Sequence, residues 1–294
     1  MQTKSLSIKI KDNMMYYIFL TPAILFFLIF VMYPFAQGIV FSFQDYGLLG
    51  PSGFVGLSNY IKVLTDPKFH EAMINTVIFA SITVVADVFL PLFIAIILNE
   101  TIFKRARNLL HTTVYLPKLL STVIIVGIFA NLLGAGGPIS DLAYSLGLTP
   151  IPENLMAAPG LARPLFIIIQ IWRTIGYYVI MYSAALLAID PSLYEAAKID
   201  GATWFQQVRY ITIPGVSTMM KTVTLLAVMS IFKTFSLSFL LTTPNNAEYV
   251  RTLMVYTYQV GILEFDIGMS VASATIVFFT TLIVSLIVRK VIRY

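Results

Sequence analysis

The 294-residue chain contains no cysteine, which excludes disulfides, thiolate metal sites and cysteine nucleophiles. Charge is scarce: 11% of residues are Asp, Glu, Lys or Arg, against about 25% in an average soluble domain. No G-x-x-x-x-G-K-[ST] stretch occurs, so the chain has no P-loop to hold nucleotide phosphates. There is no low-complexity tract, no evident internal repeat, and no cluster of His, Asp and Glu of the kind a membrane-embedded enzyme needs.

Apolar residues are abundant instead. They make up 58% of the chain, and the mean hydropathy is +0.86. One soluble core of this size cannot hide that excess, which leaves a polytopic membrane protein. Six runs approach the roughly 20 apolar residues that a helical span requires: Met15–Phe41, Ile74–Leu98, Leu110–Gly134, Pro164–Ile189, Val216–Leu241 and Ile267–Val288. The expected fold is all-α, a single membrane domain of six transmembrane helices over residues 1–294. No small-residue cleavage site follows the first run, which reads as a span and not as a cleavable leader.

Basic residues set the orientation. Lys4, Lys9, Lys11, Lys104, Arg105, Arg107, Lys198, Arg209, Arg289, Lys290 and Arg293 share one side, against Lys62, Lys68, Arg163 and Arg251 on the other. The richer side is expected to be cytoplasmic, with both termini inside and a tail over 1–13. The net charge of +5 fits this asymmetry and forms no dense basic run, so nucleic acid is not an expected partner. His70 and His111 fall on opposite predicted sides, so no joint metal site is expected. An extracytoplasmic loop is expected over 42–73, where Phe54–Met73 has the spacing of one or two short surface helices. Gly134–Pro152, rich in Gly and Pro, predicts a loop with a short helix near Asp141–Leu146.

One cytoplasmic segment is polar yet patterned: DPSLYEAAKIDGATWFQQVRYITIPG, residues 190–215. Asp190-Pro191 is a helix start, with Asp as N-cap and Pro at the first helical position. Leu193, Tyr194, Ala197 and Ile199 can share an apolar face. Asp200-Gly201 predicts a turn, a second helix is expected over about Ala202–Tyr210, and Pro214 marks the start of span five. The spacing predicts a helix-turn-helix across the mouth of the bundle. From the pattern alone, a mere amphipathic connector between spans four and five reads equally well.

This segment closely resembles the EAA loop of permease subunits of bacterial ABC importers. Glu195-Ala196-Ala197, Gly201, Ile211 and Pro214 match that pattern at every step, with Ile213 where Leu is usual. LYEAAKIDGAT, residues 193–203, resembles the carbohydrate branch, of the maltose and glycerol-phosphate type. The resemblance extends to GLSNYIKVLTDPKF (56–69) with Asn75-Thr76, to Tyr115-Leu116-Pro117, Ile171-Trp172 and Leu241-Thr242-Thr243-Pro244, and to Gly268 with Ala272-Ser273-Ala274. Thr243-Pro244-Asn245-Asn246 departs from the Gly-rich turn often found there. The resemblance implies a type I importer permease fold. It also implies ATPase coupling through Glu195, Ala196, Ala197, Asp200, Gly201, Ile211 and Pro214, with docking assigned to Glu195 and Gly201. The implied partners are a second similar permease, two ATPase subunits that bind ATP and Mg, an extracytoplasmic solute-binding protein and a sugar. The implied place is a bacterial cell membrane, and no cofactor is expected on this chain.

Four charges fall inside the expected spans: Asp87, Lys118, Arg173 and Lys233. A charge at the bilayer centre costs about 2.5–3.5 kcal/mol on insertion scales, so such groups face a cavity or a partner. Asp87 and Arg173 are expected near mid-membrane, Lys118 toward the cytoplasm and Lys233 toward the outside. Two readings stand together: an Asp87 ion pair with Arg173 or Lys233 that fixes helix packing, or a water-filled path lined by these groups. Asn131, Gln170, Trp172, Tyr177 and Tyr178 are further path candidates, since sugar sites combine aromatic faces with polar hydrogen-bonding groups. Three cations against one anion favour a substrate with a carboxylate or phosphate, such as an acidic sugar. The alternative from another class is an ion-gradient carrier with Asp87 as ion site, which predicts repeated halves with broken helices.

Overall fold

In lipid, backbone groups can be satisfied only within the protein, so the long apolar runs form helices. A computed structural model describes residues 14–100, 104–148 and 154–291. The expected tail over 1–13, Arg293 and the end of the Gly134–Pro152 segment lie outside these. Among the described residues five helices are long and apolar enough to cross a membrane, and a sixth crossing is available at Ser217–Phe232, which meets the preceding helix Trp204–Gly215 at a 65° bend. The described chain divides into two compact units, 14–63 with Val260–Thr275, and 64–259 with 276–291.

In the first unit, α1 (Met14–Phe41) is the first expected span, and none of it from Met14 to Ala36 is even half-buried in this chain. A hairpin follows that the spacing did not announce. β1 (Gln44–Gly47) and β2 (Gly50–Phe54) pair antiparallel, with Gln44 opposite Phe54 and an irregularity between Asp45 and Tyr46. Buried Asn59 secures the first strand: its amide donates to Ser42 O at 3.0 Å and Gln44 O at 2.8 Å.

α2 (Ser58–Thr65) is the expected surface helix. The second expected surface helix is instead the first two turns of α3 (Pro67–Glu100), which contains span two. Asp66 caps it, accepting from Lys68 N at 2.8 Å, and Pro67 sits at the first helical position, so nothing interrupts the helix before the bilayer.

Span three is not one helix. α4 (Lys104–Leu119) stops, Ser121 adopts an extended backbone and caps α5 (Thr122–Leu133), and the chain then turns into α6 (Pro138–Ser145), close to the expected short helix. The membrane-length element here is Thr122–Ser145, displaced from the expected Leu110–Gly134. Pro117 lies one turn before the break, where its missing N–H weakens the ladder.

α7 (Pro159–Leu187) carries span four. α8 (Pro191–Ile199) and α9 (Trp204–Gly215) form the loop before span five. Span five is itself interrupted: α10 (Ser217–Phe232) ends, and α11 (Ser236–Leu241) resumes after Lys233-Thr234-Phe235. Two short elements follow, α12 (Ala247–Val250) and α13 (Leu253–Leu263), and α14 (Ile267–Val291) is the last span.

The core of the second unit joins α3, α7 and α10. Val88, Leu92 and Ala95 meet Tyr178, Val179 and Tyr182, and both meet Val216, Val223 and Ala227. Nearer the other end of α3, Phe79 stacks on Phe166 with ring centroids 3.8 Å apart. Lipid tails are as apolar as these side chains, so the helices are held by close packing and buried hydrogen bonds, not by expulsion of water. α4 closes on α7 at Gly176, where an added Cβ would lie 2.6 Å from Tyr115 Cα.

Candidate coupling loop and intramembrane polar site

The 190–215 segment is a helix-turn-helix with its stops written into the backbone. Asp190 caps α8 by accepting from Ser192 N at 2.9 Å, and this bond holds its carboxyl below the usual carboxylate range. At the other end Gly201 has φ +76°, Gly201 N donates to Lys198 O at 3.1 Å, and Ala202 N donates to Ala197 O at 2.9 Å. That is a Schellman stop, which places a left-handed residue just past the helix. A Cβ at Gly201 would meet nothing, so the glycine is required by conformation and not by space.

The second helix begins at Trp204, two residues later than expected, because Thr203 and Gln206 form a capping box: Thr203 N donates to Gln206 Oε1 at 2.7 Å. It continues as a wide π turn over Val208–Thr212 to Gly215, so Pro214 lies within it and the 65° bend into span five comes at Val216. The Tyr194 and Thr212 hydroxyls, 2.9 Å apart, tie the two helices together. Trp204 Nε1 donates to the Glu100 carboxylate at the end of α3.

Glu195, Ala196, Asp200 and Gly201 are exposed, Ala197 and Ile211 are half-buried, and Pro214 is exposed. The expected shared apolar face splits. Tyr194 turns inward, while Leu193 and Ile199 are 51% and 86% exposed. Both are left uncovered by the described residues.

Inside the membrane the structure joins some of the expected residues. Asp87 is 3% exposed and accepts from Thr174 Oγ1 at 2.7 Å. Arg173 donates through Nη2 to Gln170 Oε1 at 2.8 Å and through Nη1 to Thr122 Oγ1 at 3.0 Å, and its buried Nε has no acceptor. Among the described residues Asp87 forms no ion pair with Arg173 or Lys233, whereas Arg251 pairs with Glu71 at 2.8 Å. Asp87 and Arg173 are therefore neighbours held by neutral partners.

Arg173 and Lys233 line one cavity of about 270 Å³, together with Ser230, Thr234, Phe235, Ser236 and Leu237. Lys118, at the end of α4, lies 5.2 Å over the Tyr177 ring, within electrostatic reach of Arg173. Trp172 meets Phe129 edge-on, and Asn131 is exposed on α5. Tyr178 is buried in the helix core.

Sequence reasoning missed Thr174, Thr122, Ser230, Phe235 and Ser236. Thr174 lies four residues beyond Gln170, a spacing that places both on one helix face. The others come together only because two spans are interrupted.

Residues 87–293 match the family model described as "Binding-protein-dependent transport system inner membrane component". The chain belongs to this family. Several of its relatives carry saccharide names. It is 34% identical to the polygalacturonan/rhamnogalacturonan transport system permease protein YteP of Bacillus subtilis (strain 168), over 92% of this chain and 84% of that one. It is 32% identical to the arabinooligosaccharides transport system permease protein AraP of the same organism, over 93% and 87%. Among solved structures it resembles a chain of a bacterial ABC transporter that imports the acidic polysaccharide alginate. The TM-score there is 0.88 at 26% identity, over 98% of both chains. A second alginate-transporter structure, in complex with a periplasmic protein bound to an alginate pentasaccharide, matches with a TM-score of 0.86 at 27% identity, over 96% and 95%. The family member described here is a permease of a carbohydrate ABC importer, a multi-pass membrane protein and not an enzyme.

Proposed function

We propose that residues 190–215 dock on an ATPase subunit and carry its closure into the spans. The observation that supports this is the loop itself. Two helices with fixed stops meet at Gly201, are cross-tied by Tyr194 and Thr212, and present Glu195, Ala196 and the uncovered Leu193 and Ile199 outward. A lever needs that stiffness, since a floppy connector would dissipate the push. On this reading the loop and both termini are cytoplasmic, and ATP and Mg are held by two ATPase partners. A second permease completes the path, and an extracytoplasmic binding protein delivers the sugar. The ion-gradient alternative gives way to the family assignment.

The substrate reading is an acidic saccharide. The Arg173–Lys233 cavity contains two cations and no carboxylate, with hydroxyls and the Phe235 ring beside them. Such a site matches a carboxylate next to a sugar-ring face. The alginate importer that this chain resembles handles an acidic polysaccharide.

A mild-detergent pull-down from the native membrane tests the coupling reading. An ATPase and a second permease should accompany the wild type. Gly201→Pro should lose the ATPase, because proline cannot adopt φ +76° and removes the N–H bonded to Lys198 O. A chain that comes down alone would end the coupling reading. Uptake of an acidic oligosaccharide that is indifferent to Arg173→Gln and Lys233→Gln would end the substrate reading.

A further inference from the structure

A second basic cavity, of about 200 Å³, lies at the opposite end of α10 from the Arg173–Lys233 cavity. It is lined by Thr218, Lys221, Thr222 and Leu225 of α10 and by Val288 and Arg289 of α14. No carboxylate lines it, and neither cation has a hydrogen-bond or ion-pair partner among the described residues. Two uncompensated charges converge here from distant parts of the chain.

The depth of the cavity is fixed by helix length. Arg289 lies about 33 Å along α14 from Ile267 at 1.5 Å per residue, which matches a hydrocarbon thickness of about 30 Å. The cavity therefore sits at headgroup level, on the membrane face that carries the 190–215 loop. Both walls have the same polarity along the membrane normal. On α10 the face Thr218, Lys221, Thr222 continues one turn deeper as Leu225, at helical spacing. On α14, Leu286 and Leu282 lie three and seven residues inward of Arg289 on the same face, and both are exposed.

We propose that this cavity holds the headgroup of an anionic phospholipid, with its acyl chains along the exposed apolar stripe below. The cations and threonine hydroxyls meet the phosphate, and the leucines meet the chains. A zwitterionic lipid brings its own ammonium group against Lys221 and Arg289 and is disfavoured. Basic pockets between transmembrane helices are suited to such headgroups. A free phosphate shares the headgroup chemistry but leaves the stripe uncovered. This inference does not depend on the identity of the transported sugar or on the docking role of the loop.

The test is native mass spectrometry of the assembled importer extracted in mild detergent, with bound lipid counted after supplying phosphatidylglycerol and phosphatidylcholine. The expected preference for phosphatidylglycerol is roughly 30-fold, from about fivefold for each cation. Lys221→Gln with Arg289→Gln should abolish it. The charge-conserving pair Lys221→Arg with Arg289→Lys should keep it and shows that loss does not follow from any change at these positions. Lys290→Gln, on a different face of α14, should leave it intact. No preference in the wild type overturns the proposal. So does equal loss with Lys290→Gln, which would mean diffuse charge attraction. Displacement of the lipid by inorganic phosphate would make it a soluble-anion site, and a cavity filled by a neighbouring subunit in the assembled importer would make it an interface.

Discussion

Gly176→Ala should destabilise this chain, although alanine is the better helix former. The gain in helix propensity is about 1 kcal/mol. Against it stands the contact between α7 and α4: the new Cβ would lie 2.6 Å from Tyr115 Cα and closer still to the Val114 carbonyl oxygen. Both neighbours are backbone and cannot rotate away. Reaching ordinary contact means moving α4 about 1 Å from α7, and overpacking of this kind costs about 1–3 kcal/mol. With no flexible neighbour to yield, the upper part of that range applies, for a net loss of about 1–2 kcal/mol. Gly127→Ala, on α5, has the same propensity gain and meets nothing within 4 Å among the described residues. It should be neutral or stabilising by up to about 1 kcal/mol. The two variants, purified in the same detergent, are compared by the temperature at which the monodisperse gel-filtration peak is lost. Because α4 ends beside Lys118, whose ammonium lies over Tyr177, Gly176→Ala should also lower uptake. Equal stability of the two variants would refute the packing argument.

Three further outcomes follow from named contacts. Thr174→Val leaves Asp87 buried without its donor and should cost about 1–3 kcal/mol in the same thermal assay, and Asp87→Asn in that background should recover part of the loss. Asp190→Ala should weaken co-purification of the ATPase, while Asp190→Asn, an equally good cap, should not. The Asp190 carboxyl is held below its ordinary range, so its capping contribution is complete above about pH 4 and is lost only as pH falls through the depressed value. Co-purification should therefore be level from about pH 6 to 8, and an Asp190-dependent drop inside that window would contradict the sign. Glu71→Gln removes the 2.8 Å ion pair with Arg251, whose side chain is 12% exposed. It should lower thermal stability modestly, by about 1 kcal/mol, and the difference from wild type should shrink at high salt.

Most of the long apolar helices and the helix-turn-helix over 190–215 were legible because both are local. A run of apolar residues needs no distant partner to become a helix in lipid, and Asp190-Pro191 and Asp200-Gly201 carry their stops in their own backbone chemistry. The hairpin over 44–54 was not legible, since Gly-Pro-Ser-Gly reads as loop and the pairing is set by Asn59, fifteen residues on. Nor were the interruptions at Leu120-Ser121 and Lys233-Thr234-Phe235, where no glycine or proline sits at the break itself. The intramembrane charges were correctly singled out, but their partners were not. A carboxylate and a guanidinium at similar depth invite an ion pair, yet the protein gives Asp87 a threonine and Arg173 an amide and a second threonine. Tertiary geometry decided that choice, through the break that brings Thr122 to Arg173.

The length of α3 has a mechanical consequence. Thirty-four residues make a rod of about 51 Å, longer than the roughly 40–45 Å of a whole bilayer with its headgroups. At one end Asn75 donates to the carbonyls of Glu248 and Arg251, and at the other Glu100 accepts from Trp204. Between them the rod rests on α7 at Phe79 and Asp87. A stiff rod packed on its neighbours from Phe79 to Ala95 moves as one piece with them, so a displacement at the Trp204 end should reach Asn75, softened only where Pro91 removes a backbone bond. Whatever free energy one end spends on tilting the rod is felt at the other in equal measure, in either direction.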